Sequence, residues 1–122
     1  MPPTSHRFTD DGQIPNHPDL PLLVYASILG SDPGDRATAF EALFRQHGWG
    51  GMWRNGIYGF HHYHSTAHEV LGIAAGRAKV RFGGEHGTTL DIEAGDAVLI
   101  PAGVGHCNLG ASADLLVVGA YP

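Results

Sequence analysis

The sequence predicts an all-β domain of sandwich or barrel type, preceded by an extended arm and one amphipathic helix. Three observations carry that reading. Of the 18 Gly, 15 lie between Gly48 and Gly119, where tight reversals between strands would use them. From Trp49 onward, alternating runs are cut by Gly or Pro at roughly the 8–12 residue spacing of β domains. A helical apolar period occurs once, as Ala37, Phe40, Leu43 and Phe44. At 122 residues the chain has the length of one domain, which buries roughly two-thirds of its unfolded surface. Residues 1–30 are expected to form an arm and a strand, 32–47 the helix and 49–121 the barrel.

Each element has its local cause. Five of the eight Pro fall in the first 21 residues, where they remove backbone donors and favour extended conformations, so this stretch reads as an arm outside the core. Leu22 to Leu29 is a strand candidate stopped by Gly30, and a homodimer pairing through it would cover an otherwise exposed edge. Asp32 and Pro33 look like the N-cap and first residue of the helix, with Gly48 past its end. The strands that follow are Met52 to Arg54, Ile57 to His64, Glu69 to Ala75, Arg77 to Gly83, Thr88 to Glu93, Ala97 to Ile100, His106 to Leu109 and Leu115 to Tyr121. Arg77, Lys79 and Arg81 alternate with Ala78, Val80 and Phe82, giving one wet and one buried face. Leu115 to Val118 is apolar on both faces and is expected to be covered on both.

Composition excludes several classes of function. A net charge of -5 with scattered Arg leaves no cationic patch for phosphates, so nucleic acid is not an expected partner. No apolar run approaches the ~20 residues of a membrane-spanning helix. The first ten residues lack an apolar signal core, and the lone Cys107 has no internal disulfide partner, so a reducing cytoplasm is expected.

The chemistry concentrates in histidine. Six of the nine His lie between His61 and His106. His62 and His64, two apart in an expected strand, would project from one face, with Glu69 after a short reversal. A second block, Gly95, Pro101, Gly103 and His106, reads as turn, strand, tight turn, and a His at a strand entrance. Imidazoles and a carboxylate aimed into an apolar interior need partners, because an unpaired buried polar group costs about 1–3 kcal/mol. A divalent transition metal, Fe, Mn, Ni, Co, Cu or Zn, satisfies three neutral nitrogens and one anionic oxygen together. The competing reading, a solvated strand face with Glu69 paired to a surface Arg, suits an isolated His-x-His better than this four-residue pattern.

These residues resemble the cupin superfamily. Its first motif is matched by Gly56, His62, His64, Glu69 and Gly76, and its second by Gly95, Pro101, Gly103 and His106. The family Asn would fall at Gly110 and is missing, while Asn108 lies two residues early. The resemblance implies a double-stranded β-helix, or jelly roll, with a metal held by His62, His64, Glu69 and His106. The run from His61 to Gly76 followed by Gly83 to Gly87 looks more closely like small bacterial cupins of unassigned activity. Those continue past the equivalent of Tyr121-Pro122, so a shortened chain is expected.

Other candidates weigh less. His61 and His68 have the wrong parity to join the cluster, and Cys107 reads as a small buried hydrophobe. Trp49, Trp53, Tyr58 and Phe60 read as core rather than pocket lining. Arg54 shares parity with His62 across the intervening turn, making it a candidate anchor for a substrate anion. Strand counting puts the Gly83 to Gly87 turn at the metal end of the barrel, making Glu85 and His86 candidate acid–base groups over the metal. Function divides between a metal-dependent oxygenase or isomerase acting on a small oxygen-rich metabolite and a non-catalytic module that binds or senses one through the same metal.

Overall fold

The computed structural model describes residues 2–29 and 34–122. Among these residues, nine strands and one helix run in the order β1 (Thr4–His6), β2 (Leu22–Tyr25), α1 (Arg36–Gln46), β3 (Gly50–Asn55), β4 (Glu69–Ala75), β5 (Arg77–Phe82), β6 (Thr88–Glu93), β7 (Ala97–Ile100), β8 (His106–Ala111) and β9 (Leu116–Tyr121). All pairings are antiparallel. One sheet has the order β1-β2-β7-β4-β9-β3 and the other β6-β5-β8, which together make the expected jelly roll. No described helix is long and apolar enough to cross a membrane.

Alternation sorts side chains between two cores. Leu71, Ile73, Val98 and Val117 point into the barrel, where they meet Ala78, Val80, Phe82 and Ile92 of the smaller sheet. Their neighbours Val70, Ala74, Ala97, Val118 and Ala120 face outward, where Ala37, Phe40 and Phe44 of α1 cover them. The closing run on β9 is therefore covered on both faces, as its composition predicts. At the centre of the helix contact, a Cβ on Gly72 would lie 2.4 Å from Cγ of Phe40, so only glycine admits the ring.

Several expectations need correction, and one falls outside the described residues. The strand at Leu22 ends at Tyr25, because Ser27 turns the chain with φ 51° and donates its N–H to Asp96 Oδ1 at 2.9 Å. β2 also pairs on both sides within the chain, with β1 and with β7, so no free edge remains there for a homodimer. The proline-rich arm belongs to the fold. Beyond β1 it forms a strap in which Ile14 and Asn16 are buried and Phe8 packs against Gly83. The helix cap at Asp32 and Pro33 lies outside the described residues. The described helix is capped by Asp35, which accepts from the Thr38 N–H at 3.1 Å and the Thr38 hydroxyl at 2.7 Å. Finally, Ile57 to His64 is not a strand. It runs as a loop beside β8 with one isolated bridge, His62 to His106.

Candidate metal centre

The histidines converge through backbone pairing rather than through the strand face that their spacing implied. His106 opens β8 opposite Phe82 of β5, with its buried side chain turned inward. His62 is fastened beside it by two backbone bonds, the His62 N–H to the His106 carbonyl at 3.2 Å and the His106 N–H to the His62 carbonyl at 2.9 Å. The His64 carbonyl accepts the Gly103 N–H at 2.8 Å, so the loop before β4 is tied to the loop before β8. One ring nitrogen each from His62, His64 and His106 lies within 4.8 Å of the others. Glu69, first residue of β4 and 2% exposed, completes the cluster with its Oε2 3.6 Å from His64 Nε2 and its Oε1 3.3 Å from His106 Nε2.

Polar bookkeeping leaves room for a cation among these groups. Nδ1 of His106 faces the Val104 carbonyl at 3.3 Å and Nδ1 of His62 faces the Phe60 carbonyl at 3.3 Å. A carbonyl only accepts, so in a neutral ring this contact places the proton on Nδ1 and leaves the Nε2 lone pair for the cluster. His106 Nε2 and Glu69 Oε1 face each other at 3.3 Å, and Oε1 is buried without a hydrogen-bond partner. Three imidazole nitrogens and one carboxylate form a donor set that fits a transition metal. Electrostatics make Glu69 the anion of the cluster and disfavour a charged His62. Burial lowers the pKa of His62, with His106 adding to the effect. Burial works to raise Glu69, but His106, Tyr121 and His64 outweigh it and hold the carboxyl below its ordinary value.

The cluster opens into a cavity of about 380 Å³ walled by Trp53, Ile57, Tyr58, Leu71 and Tyr121. Tyr121 is the residue that sequence reasoning missed. Its signal was parity, since Val117, Gly119 and Tyr121 share one face of β9. Burial and the Glu69 carboxylate beside it push its hydroxyl up to about 12, so it stays protonated. A larger groove of about 720 Å³ runs along β5 and β6, but no histidine lines it, and its charges face each other across the strands as Arg77 with Glu93 and Lys79 with Asp91.

Other candidates fall elsewhere. Arg54 touches the cavity wall, yet its guanidinium grips both oxygens of Glu41 on α1 at 3.0 and 2.7 Å, so it is not an anchor facing the imidazoles. Arg54 faces the helix side because it pairs with Val118, whose side chain lies under α1. The Gly83 to Gly87 turn does reach the metal end, where the Gly83 N–H bonds the Gly105 carbonyl at 2.8 Å. The strap packs over that turn, however, and Glu85 and His86 are exposed and do not line the cavity. His68 serves structure by accepting the Ala102 N–H at 2.9 Å on Nδ1. Tyr58 and Phe60, expected in the core, are 62% and 61% exposed.

A double-stranded β-helix with inward histidines from two motifs defines a cupin. The cupin domain model matches residues 52–118, more than half of the chain, and the chain belongs to that family. The uncharacterized protein YjlB of Bacillus subtilis (strain 168) is 49% identical over 115 residues, which cover 94% of this chain and 67% of YjlB. Among solved structures, acireductone dioxygenase from Bacillus anthracis, with cadmium in its active centre, matches with a TM-score of 0.52 and 13% identity over 82% of this chain and 77% of that one. YcfD, a ribosomal oxygenase from Escherichia coli in complex with cobalt and succinic acid, matches with a TM-score of 0.53 and 13% identity over 99% of this chain and 40% of that one. At such identities the two structures show a common fold.

Proposed function

We propose that this chain is a metal-dependent cupin that acts on a small oxygen-rich metabolite as an oxygenase or isomerase. His62, His64, Glu69 and His106 hold one divalent transition metal per chain, Fe, Mn, Ni, Co or Zn. The observation that carries this reading is the convergence of ring nitrogens from His62, His64 and His106 beside the buried Glu69 carboxylate, whose unpartnered Oε1 faces His106 and whose Oε2 faces His64. A metal bound there supplies Lewis acidity and, if it is iron, oxygen chemistry. The chain's own groups set the terms. Glu69 offsets one positive charge, the carbonyls of Phe60 and Val104 fix two imidazole tautomers, and the protonated Tyr121 hydroxyl offers a donor at the cavity wall. A volume of about 380 Å³ suits a small molecule. We assign the protein to the cytoplasm, where a lone buried thiol such as Cys107 stays reduced.

Metal analysis of anaerobically purified protein tests the reading. We expect about one ion per chain, lost in His62→Ala and in His106→Ala, because removing one of four ligands leaves an incomplete site. Unchanged stoichiometry in both variants would overturn it. Acidification below about pH 5 to 6 should release the ion as the imidazoles protonate, and full retention at pH 4 would contradict imidazole ligation. Iron in the purified protein would favour oxygenation, and zinc or manganese isomerisation.

A further inference from the structure

The cavity mouth carries a feature that the metal centre leaves unused. Tyr58 and Phe60 stand in solvent with their rings stacked at 5.0 Å and 17° between planes, and Tyr58 meets the His62 ring edge-on at 5.0 Å. Adjoining large rings exposed beside a pocket form the kind of apolar patch that marks an interaction surface, and their continuity with the cavity makes that surface part of a ligand groove. This apolar surface runs inward without a break, because Tyr58 itself lines the cavity with Ile57, Trp53 and Leu71. Charge is distributed in the opposite sense. Among the described residues around the cavity, Arg54 is the one permanent cation, and its guanidinium is committed to Glu41. A ligand's oxygen-bearing end can therefore be compensated only at the histidine cluster, and a second anionic group at the mouth would meet aromatic rings and no free positive charge.

We propose that the ligand has two unlike ends, an oxygen-rich head such as a 2-oxo or 2-hydroxy carboxylate at the histidine cluster and a flat, apolar tail laid on Tyr58 and Phe60. The proposal rests on the metal reading above and narrows its substrate class to aryl or similarly planar acids, at the expense of dicarboxylates, phosphorylated compounds and sugar acids.

Three probes with one head and different tails separate these classes. Phenylpyruvate, pyruvate and 2-oxoglutarate are titrated calorimetrically into the cobalt-loaded protein, while the cobalt absorption bands report whether each head reaches the metal. Phenylpyruvate should bind at least about tenfold more tightly than pyruvate, from ring burial and stacking, and 2-oxoglutarate no more tightly than pyruvate. In Tyr58→Leu/Phe60→Leu, which keeps bulk beside His62 but removes the flat faces, phenylpyruvate should fall to within about twofold of pyruvate, with affinities referred to the cobalt-loaded fraction. Equal binding of the three probes, preference for 2-oxoglutarate, or an unaltered preference in the double variant would overturn the two-ended ligand while leaving the metal centre standing. Failure of cobalt to bind, or cobalt bands that none of the probes shifts, would overturn the metal reading and this proposal with it.

Discussion

Glu69 is the residue on which the cluster turns. It is a buried carboxylate whose two oxygens each face an imidazole, so removing its charge alters the donor set without altering its shape. Glu69→Gln should lower metal affinity by about tenfold or more, measured by competition with a chromophoric chelator. Undiminished affinity would show that the three histidines hold the ion unaided. Arg54 supplies the contrast. Its pairing with Glu41 is half in solvent, and exposed pairs of this kind contribute little to stability. Arg54→Ala should therefore leave the urea midpoint nearly unchanged and the metal content intact. Loss of the metal would return Arg54 to the site. The histidines, Glu69 and their motif glycines were legible in the sequence because ligand chemistry restricts both residue type and spacing. Tyr121 was not, because a tyrosine closing an apolar strand looks like packing until the opposite wall is known.

At the level of elements, the seat of α1 depends on one missing methyl group. Gly72→Ala would push a Cβ into the Phe40 ring and should destabilise the protein by about 1–3 kcal/mol in urea unfolding. Phe40→Ala should cost about 3–5 kcal/mol by emptying the same contact. The double variant should lose less than the sum, since the smaller side chain leaves room for the added methyl, and strict additivity would argue against this contact. Strands β4 to β9 were legible for a related reason: their alternation writes the two-faced sheet directly into the sequence. The stretch from Ile57 to His64 misled because His62 and His64 alternate as a strand would, although Tyr58 and Phe60, of the same parity, are left in solvent. The helix start misled because Asp32 and Asp35 both offer a capping carboxylate, and capping chemistry alone does not choose between them.

Across the whole molecule, the strap joins segments remote in sequence. The Asn16 amide donates to the carbonyls of Thr9 at 2.8 Å and Gly83 at 3.1 Å, and its oxygen accepts the Gly105 N–H at 3.2 Å. Asn16→Ala would leave buried groups on two loops unpaired and should cost about 2 kcal/mol or more, read as a fall in urea midpoint. An unchanged midpoint would mean that the strap adds nothing to global stability. Asp11 sets the strap's response to acid. Its carboxylate accepts the Ile14 N–H at 2.7 Å and the Gln13 N–H at 2.9 Å, and these bonds hold its pKa below the usual 3.8. A lowered folded pKa means that the contribution is present above about pH 3.8 and is lost as pH falls through the lowered value. The amide proton shifts of Gln13 and Ile14 should titrate together in that range, and Asp11→Asn should abolish the response. None of this was legible, because prolines advertise what a segment lacks and say little about what it will rest on.

The same strap orders events during synthesis. A ribosome releases Phe8, Ile14 and Asn16 long before it makes Gly83 and Gly105, so the earliest of these residues to emerge find their partners last. The inner strand β2 waits in the same way for β7. Until those partners appear, an apolar strand and its strap are exposed to chaperones and to other nascent chains, and closure belongs to the end of translation or after it. Pairings of such long range also make for slow folding, in the millisecond-to-second regime of β domains. In pulse-labelled refolding, the Gly105 amide should gain protection after the β5–β6 hairpin does, and the reverse order would place the strap in the folding nucleus.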